Sequence, residues 1–113
     1  MWRIVQTEVF GKWFAEQDED AQVDMREKFG VLREFGPRLG RPYVDTVRES
    51  KHPNMKELRV QSRGRPFRVI FAFDPKRNAV LLIGGNKEGD KRFYKWMIPK
   101  ADHLLNEYLE DTK

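Results

Sequence analysis

The chain has 113 residues, no cysteine, and 22 Lys plus Arg against 18 Asp plus Glu. That length suits one domain, here residues 1–113, and the missing cysteine excludes a disulfide framework, thiolate zinc sites, iron–sulfur clusters and a cysteine nucleophile. The apolar run Ala79–Ile83 falls far short of the roughly 18 residues of a membrane span, and charges from Arg3 onward argue against a signal peptide, so a soluble, cytoplasmic protein with no membrane partner is expected.

Trp2 to Val5 is apolar enough for a first strand. Phe10, Trp13 and Phe14 then fall at i, i+3, i+4 within Val9–Gln17, a helical stripe with Thr7 as its N-cap. Asp18, Glu19 and Asp20 open a second helix at the positive end of its dipole. Ala21, Met25, Phe29, Leu32 and Phe35 carry it forward to a stop at Gly36-Pro37, and Gly30 inside it predicts a tight contact or a weak spot. Residues 38–55 lack periodicity and read as a long loop, with a short helical turn around Val44 to Val47.

Lys56 to Gln61 alternates, with Leu58 and Val60 on one face and Glu57, Arg59 and Gln61 on the other. Arg63-Gly64 is a hairpin turn. Phe67, Val69, Phe71 and Phe73 share a face of the next strand, Asp74–Asn78 is a second turn, and Ala79–Ile83 is a strand buried on both sides, ended by Gly84-Gly85. Asp90 then N-caps a last helix that keeps apolar spacing from Phe93 to Tyr108, with Pro99 either kinking it or starting a second one. The order β-α-α-β-β-β-α predicts an α+β domain in which two N-terminal helices and a C-terminal helix pack on a small antiparallel sheet.

The charge is unevenly spread. Residues 1–37 hold 5 basic and 8 acidic side chains, residues 38–100 hold 16 and 6, and residues 101–113 hold 1 and 4. A segment of net +10 between two acidic ends fits a surface for phosphate backbones, or else a solvated Lys/Arg-rich face.

With a two-residue turn at Arg63-Gly64, Ser62 pairs with Arg65 and Arg59 lies opposite Arg68. Like charges so placed destabilise a sheet, so the pair needs either the carboxylate of Glu57 beside it or a bound anion. Both readings stand on the residues alone: a solvated Glu–Arg network, or an arginine pair for phosphate. A second cluster, Lys87, Lys91, Arg92 and Tyr94, follows Gly84-Gly85 near a helix start that already favours anions. Tyr94 there can transfer a proton or stack on a base, or simply pack in the core beside Phe93.

Of the two histidines, His103 lies in the acidic tail and His52 in the basic loop, where it can shuttle protons or merely be solvated. No metal site and no cofactor is expected. Gly84-Gly85 with Lys87 lacks the spacing of a P-loop, and there is no Gly-x-Ser-x-Gly elbow. What remains suits metal-independent RNA cleavage. The 2′-hydroxyl attacks its own phosphate, cations neutralise the developing charge, and a Lys, Tyr or His moves protons.

Lys56-Glu57-Leu58-Arg59-Val60, the run Arg65 to Asp74, and Gly84-Gly85-Asn86-Lys87, together with the order of elements, resemble the RelE/ParE toxin superfamily, in its HigB-like branch with phage-derived relatives. The resemblance covers nearly the whole chain. It implies the toxin of a type II toxin–antitoxin pair that cleaves mRNA in the ribosome. Arg59 and Arg68 match the family's sheet arginines, Lys87 its basic residue after the last strand, and Tyr94 its C-terminal tyrosine, displaced by one residue. These four are the implied catalytic set, with Lys56, His52, Arg65, Lys91 and Arg92 implied to bind RNA. Glu57 stands where some relatives carry a lysine, which points to Lys56 or His52 as replacements. The implied partners are mRNA, the ribosome and a HigA-like antitoxin with a helix-turn-helix domain, through which alone the toxin meets operator DNA. Two other functions are compatible with the same fold: a ParE-like gyrase inhibitor and a non-catalytic RNA-binding module.

Overall fold

The computed structural model describes residues 1–113. Strand β1 (Arg3–Gln6) leads into helices α1 (Glu8–Ala15) and α2 (Glu19–Phe35), a single 3₁₀ turn at Gly36–Arg38, and strands β2 (Val44–Thr46), β3 (Lys56–Ser62), β4 (Arg65–Phe73) and β5 (Asn78–Asn86). Helix α3 (Phe93–Asp111) closes the chain. The five strands form one sheet in the order β1-β5-β4-β3-β2. Its inner pairs are antiparallel, and β1 runs parallel to β5 at the edge, so the sheet is mixed. No helix is long and apolar enough to cross a membrane.

Strand alternation divides the core between two faces. Leu58, Val60, Phe67, Val69, Phe71, Ala79 and Leu81 meet Phe10, Met25 and Leu32 of α1 and α2. Ile70, Ala72, Val80 and Leu82 meet Phe93, Met97, Ile98, Ala101 and Leu105 of α3. Residues 79–83 are thus buried from both sides, as their unbroken apolar run predicts. A β-bulge shifts the pairing there, because Ile70 faces Ile83 while Phe71 faces Leu81. The extra residue, Leu82, lets Leu82 and Ile83 both turn towards α3.

The caps follow the sequence. Thr7 Oγ1 accepts from Phe10 N at 3.0 Å and donates to Leu82 O at 2.7 Å, so it tethers α1 to β5 as well as capping it. Asp18 Oδ1 accepts from Ala21 N at the start of α2. The Arg63-Gly64 turn has φ of 50° and 75°, the left-handed pair that matches the twist of a two-residue hairpin. It sets the register predicted from sequence, with Arg59 opposite Arg68 and Ser62 opposite Arg65.

Several expectations fail locally. Val44–Thr46 is a strand paired with β3, not a helical turn; three residues between Gly40, Pro42 and Pro53 are too few to show a period. Gly84-Gly85 does not end its strand, which runs on to Asn86. These glycines serve close packing instead: a Cβ on Gly84 would run into the Trp13 ring. A Cβ on Gly30 would meet nothing within 4 Å, so that glycine marks no tight contact. Asp90 caps a turn ahead of α3 by accepting from Arg92 N, and the helix itself begins at Phe93. Pro99 lies inside that one helix, which continues through it to Asp111.

Candidate active site

Glu57, Arg59 and Arg68 alternate out of phase with Leu58, Val60, Phe67 and Val69, which face α1 and α2. They therefore project from the face that carries α3. That helix lies over β4 and β5, and its first turn sends Tyr94 across to β3. The Tyr94 hydroxyl donates to Glu57 Oε1 at 2.6 Å. Glu57 Oε2 accepts from Arg59 Nε at 3.3 Å and Nη2 at 3.1 Å. Arg68 Nε stands 3.8 Å from Glu57 Oε1, buried and without a hydrogen-bond partner, while its Nη1 donates to Phe67 O. Lys87 Nζ sits 5.1 Å from the centre of the Tyr94 ring. Arg59, Arg68 and Tyr94 thus converge on one carboxylate, which is only 5% exposed, and Lys87 adjoins them over the Tyr94 ring.

From the sequence, Glu57 is a neutralising neighbour or a replaced lysine. In the structure it is the centre of the cluster. The signal is present in the chain: alternation places it on the face of Arg59, and a carboxylate there is what two facing arginines require. Asp45 extends the network, holding Arg59 Nη2 at 3.2 Å and Arg41 Nε at 3.4 Å. Sequence reasoning misses both Asp45 and Arg41, since they lie in the segment that shows no periodicity.

Burial raises the Tyr94 pKa above the ordinary phenol value, and the hydrogen bond to Glu57 raises it further, against a lowering contribution from Arg68. Tyr94 therefore holds its proton at neutral pH and is a donor. Arg68, with its Nε left without a hydrogen-bond partner 3.8 Å from Glu57 Oε1, adds a second positive charge beside that carboxylate.

The residues expected to bind RNA divide. Lys91 and Arg92 are exposed in the turn before α3, close in sequence to Lys87 and Tyr94. Arg65 is on the opposite face of the sheet, since it shares the phase of Phe67. Its guanidinium bonds Asp18 at 2.7 and 3.1 Å and lies 5.2 Å from the Phe67 ring. Lys56 likewise shares the phase of Leu58 and donates to Thr46 Oγ1 at 2.9 Å. His52 Nε2 donates to Asn106 Oδ1 of α3 at 2.9 Å. Lys56 and Arg65 therefore lie on the sheet face away from Glu57, and His52 is held against α3.

Comparison with known proteins agrees with this architecture. Residues 12–106 match the family model described as phage derived protein Gp49-like. The candidate toxin HigB3 of Mycobacterium tuberculosis is 44% identical over 99 residues, 87% of this chain and 85% of that protein. The candidate toxin HigB2 of the same organism is 53% identical over 88 residues, 74% of this chain, and the match spans only 44% of that protein's length. Among solved structures, the isolated RelE toxin of E. coli superposes with a TM-score of 0.63 at 12% identity, over 84% of this chain and 94% of that one. The archaeal RelE–RelB complex from Pyrococcus horikoshii contains a chain with a TM-score of 0.57 at 16% identity, over 78% of this chain and 97% of that one. Those likenesses are of fold.

Proposed function

We propose that this chain, which belongs to the phage-derived Gp49-like family and to the HigB-like branch of the RelE superfamily, is the toxin of a type II toxin–antitoxin pair and a metal-independent endoribonuclease. The relatives' names support the toxin, and the Glu57–Tyr94 hydrogen bond between two arginines supports the chemistry. Residues 1–113 act as a single toxin domain. The substrate is mRNA on the ribosome, in the cytoplasm. The partner is a HigA-like antitoxin with a helix-turn-helix domain; a structural neighbour that is itself a RelE–RelB complex supports a partner of this kind.

The geometry supports the following course for the reaction. The scissile phosphate sits against Arg68, Arg59 and Lys87, which compensate the charge that builds on its oxygens. Glu57 accepts the proton of the 2′-hydroxyl as the 2′-oxygen bonds to phosphorus. The bond from phosphorus to the 5′-oxygen breaks, and Tyr94 protonates that oxygen. The proton now on Glu57 returns to Tyr94 along their 2.6 Å hydrogen bond, restoring the site. The products are a 2′,3′-cyclic phosphate and a 5′-hydroxyl end. Lys91 and Arg92 extend the phosphate-binding surface beside the site.

Induced expression in bacteria with 5′-end mapping of abundant transcripts tests this reading. New ends within translated frames, lost in Arg68→Ala, are expected. Growth arrest without new ends and with a DNA-damage response would replace the nuclease by a gyrase inhibitor.

A further inference from the structure

Tyr94 has a second side. Beyond it, between α3 and the segment joining β2 to β3, lies a cleft of about 670 Å³, within the roughly 300 to 1,000 Å³ of ordinary ligand sites. Ile98 and Pro99 give it apolar lining, and Lys51, Lys95 and Glu49 line it as well. Neither lysine is in an ion pair, so both cations are free for a ligand.

The cleft is built, not a gap left by a loose loop. Asp102 of α3 is 7% exposed. Its Oδ1 accepts from Ser50 Oγ, and its Oδ2 accepts from Lys51 N at 3.1 Å. Ser50 Oγ in turn accepts from His52 N at 2.9 Å, and the His52 ring is tied to Asn106 one turn further along α3. These bonds hold the loop backbone at a fixed distance from the helix and leave the Lys51 side chain at the opening.

We infer that this cleft is a nucleotide subsite of single-stranded RNA, next to the scissile phosphate, with the base on Ile98 and Pro99 and the flanking phosphate between Lys51 and Lys95. The inference rests on the endonuclease reading, because Tyr94 lines both the cleft and the cluster around Glu57. An extended strand leaving the reacting phosphate on that side meets an apolar surface followed by two cations, the sequence of contacts that a base and its phosphate require. His52 acts here as a positioning residue: it orders the wall and does not touch the reacting atoms.

The test is binding of an eight-nucleotide RNA that is 2′-O-methylated throughout and therefore cannot be cut, followed by fluorescence anisotropy across a salt series. Each phosphate contact to single-stranded RNA adds about 0.7 to the salt slope. The Lys51→Ala/Lys95→Ala double variant is expected to lose about 0.7 from that slope and to bind roughly fivefold more weakly at about 0.1 M salt. Lys51→Arg/Lys95→Arg is expected to retain the slope. Both lysines are exposed, and a thermal melt confirms that each variant is folded. Equal binding by parent and double alanine variant, with binding lost in Arg68→Ala, would overturn the subsite and leave the endonuclease reading in place. Absence of binding by the parent protein would overturn the subsite, while end mapping on ribosome-bound mRNA decides the endonuclease reading separately. An affinity loss for the antitoxin, with none for RNA, would make the cleft a protein contact and overturn the inference.

Discussion

Glu57→Gln isolates the residue on which the site turns. The substitution keeps the shape of the side chain, and the amide oxygen can still accept from Tyr94. The amide nitrogen, however, now faces the donors of Arg59, and only Asp45, on Arg59, is left to balance the two arginines, which are directly opposite in the sheet. Removing one partner from a buried ion pair costs about 3 to 5 kcal/mol. The Arg59 side chain is 31% exposed, which screens part of that, so a loss of roughly 2 to 4 kcal/mol is expected. At about 2.1 cal/mol/K per residue, 113 residues give an unfolding entropy of about 0.24 kcal/mol/K, so Tm falls by roughly 8 to 16 °C. Differential scanning calorimetry reads this directly. Inorganic phosphate should raise the Tm of Glu57→Gln more than that of the parent, because the uncompensated arginines then take the anion. A drop below about 2 °C, or no difference in the phosphate response, would refute the view that Glu57 neutralises the pair.

Other outcomes follow from the same contacts. Tyr94→Phe should cut RNA about 10² to 10⁴-fold more slowly and lose only about 1 kcal/mol of stability; single-turnover cleavage and a urea melt check the two halves. Gly84→Ala forces a methyl group into the Trp13 ring and should cost about 1 to 3 kcal/mol. Gly30→Ala, exposed in α2 with no neighbour within 4 Å, should stabilise by about 0.5 to 1 kcal/mol, so the denaturant midpoints of the two variants move in opposite directions. The Arg65 guanidinium holds the Asp18 carboxyl down at about 2, below its usual 3.8. That contribution is complete above pH 4 and fades as the pH falls from 3.8 towards 2; Arg65→Ala should flatten the acid limb of the stability curve in that window.

The sequence is most legible where one local rule governs a whole element. Alternation in β3 and β4 places Arg59 opposite Arg68, and the short Arg63-Gly64 turn fixes that register. The same alternation already excludes Arg65 and Lys56 from the arginine face, although charge and proximity in sequence group them with it. Features set by distant partners are hidden. The edge strand Val44–Thr46 exists because β3 offers it a ladder, and the position of His52 depends on Asn106, 54 residues away. Gly84 reads locally as a strand stop, and only the approach of Trp13 explains it. Glu57 is legible as a neighbour and not as a centre, since its role needs Tyr94 from α3.

The most direct measurement of the central claim is the chemistry of the cut ends. Programmed ribosomes carrying an end-labelled mRNA are incubated with the protein, and the chemistry of the new ends is identified. The account predicts a 2′,3′-cyclic phosphate and a 5′-hydroxyl, with cleavage lost in Glu57→Gln and Arg68→Ala variants that remain folded. A 5′-phosphate product, or cleavage that survives both substitutions, would contradict it.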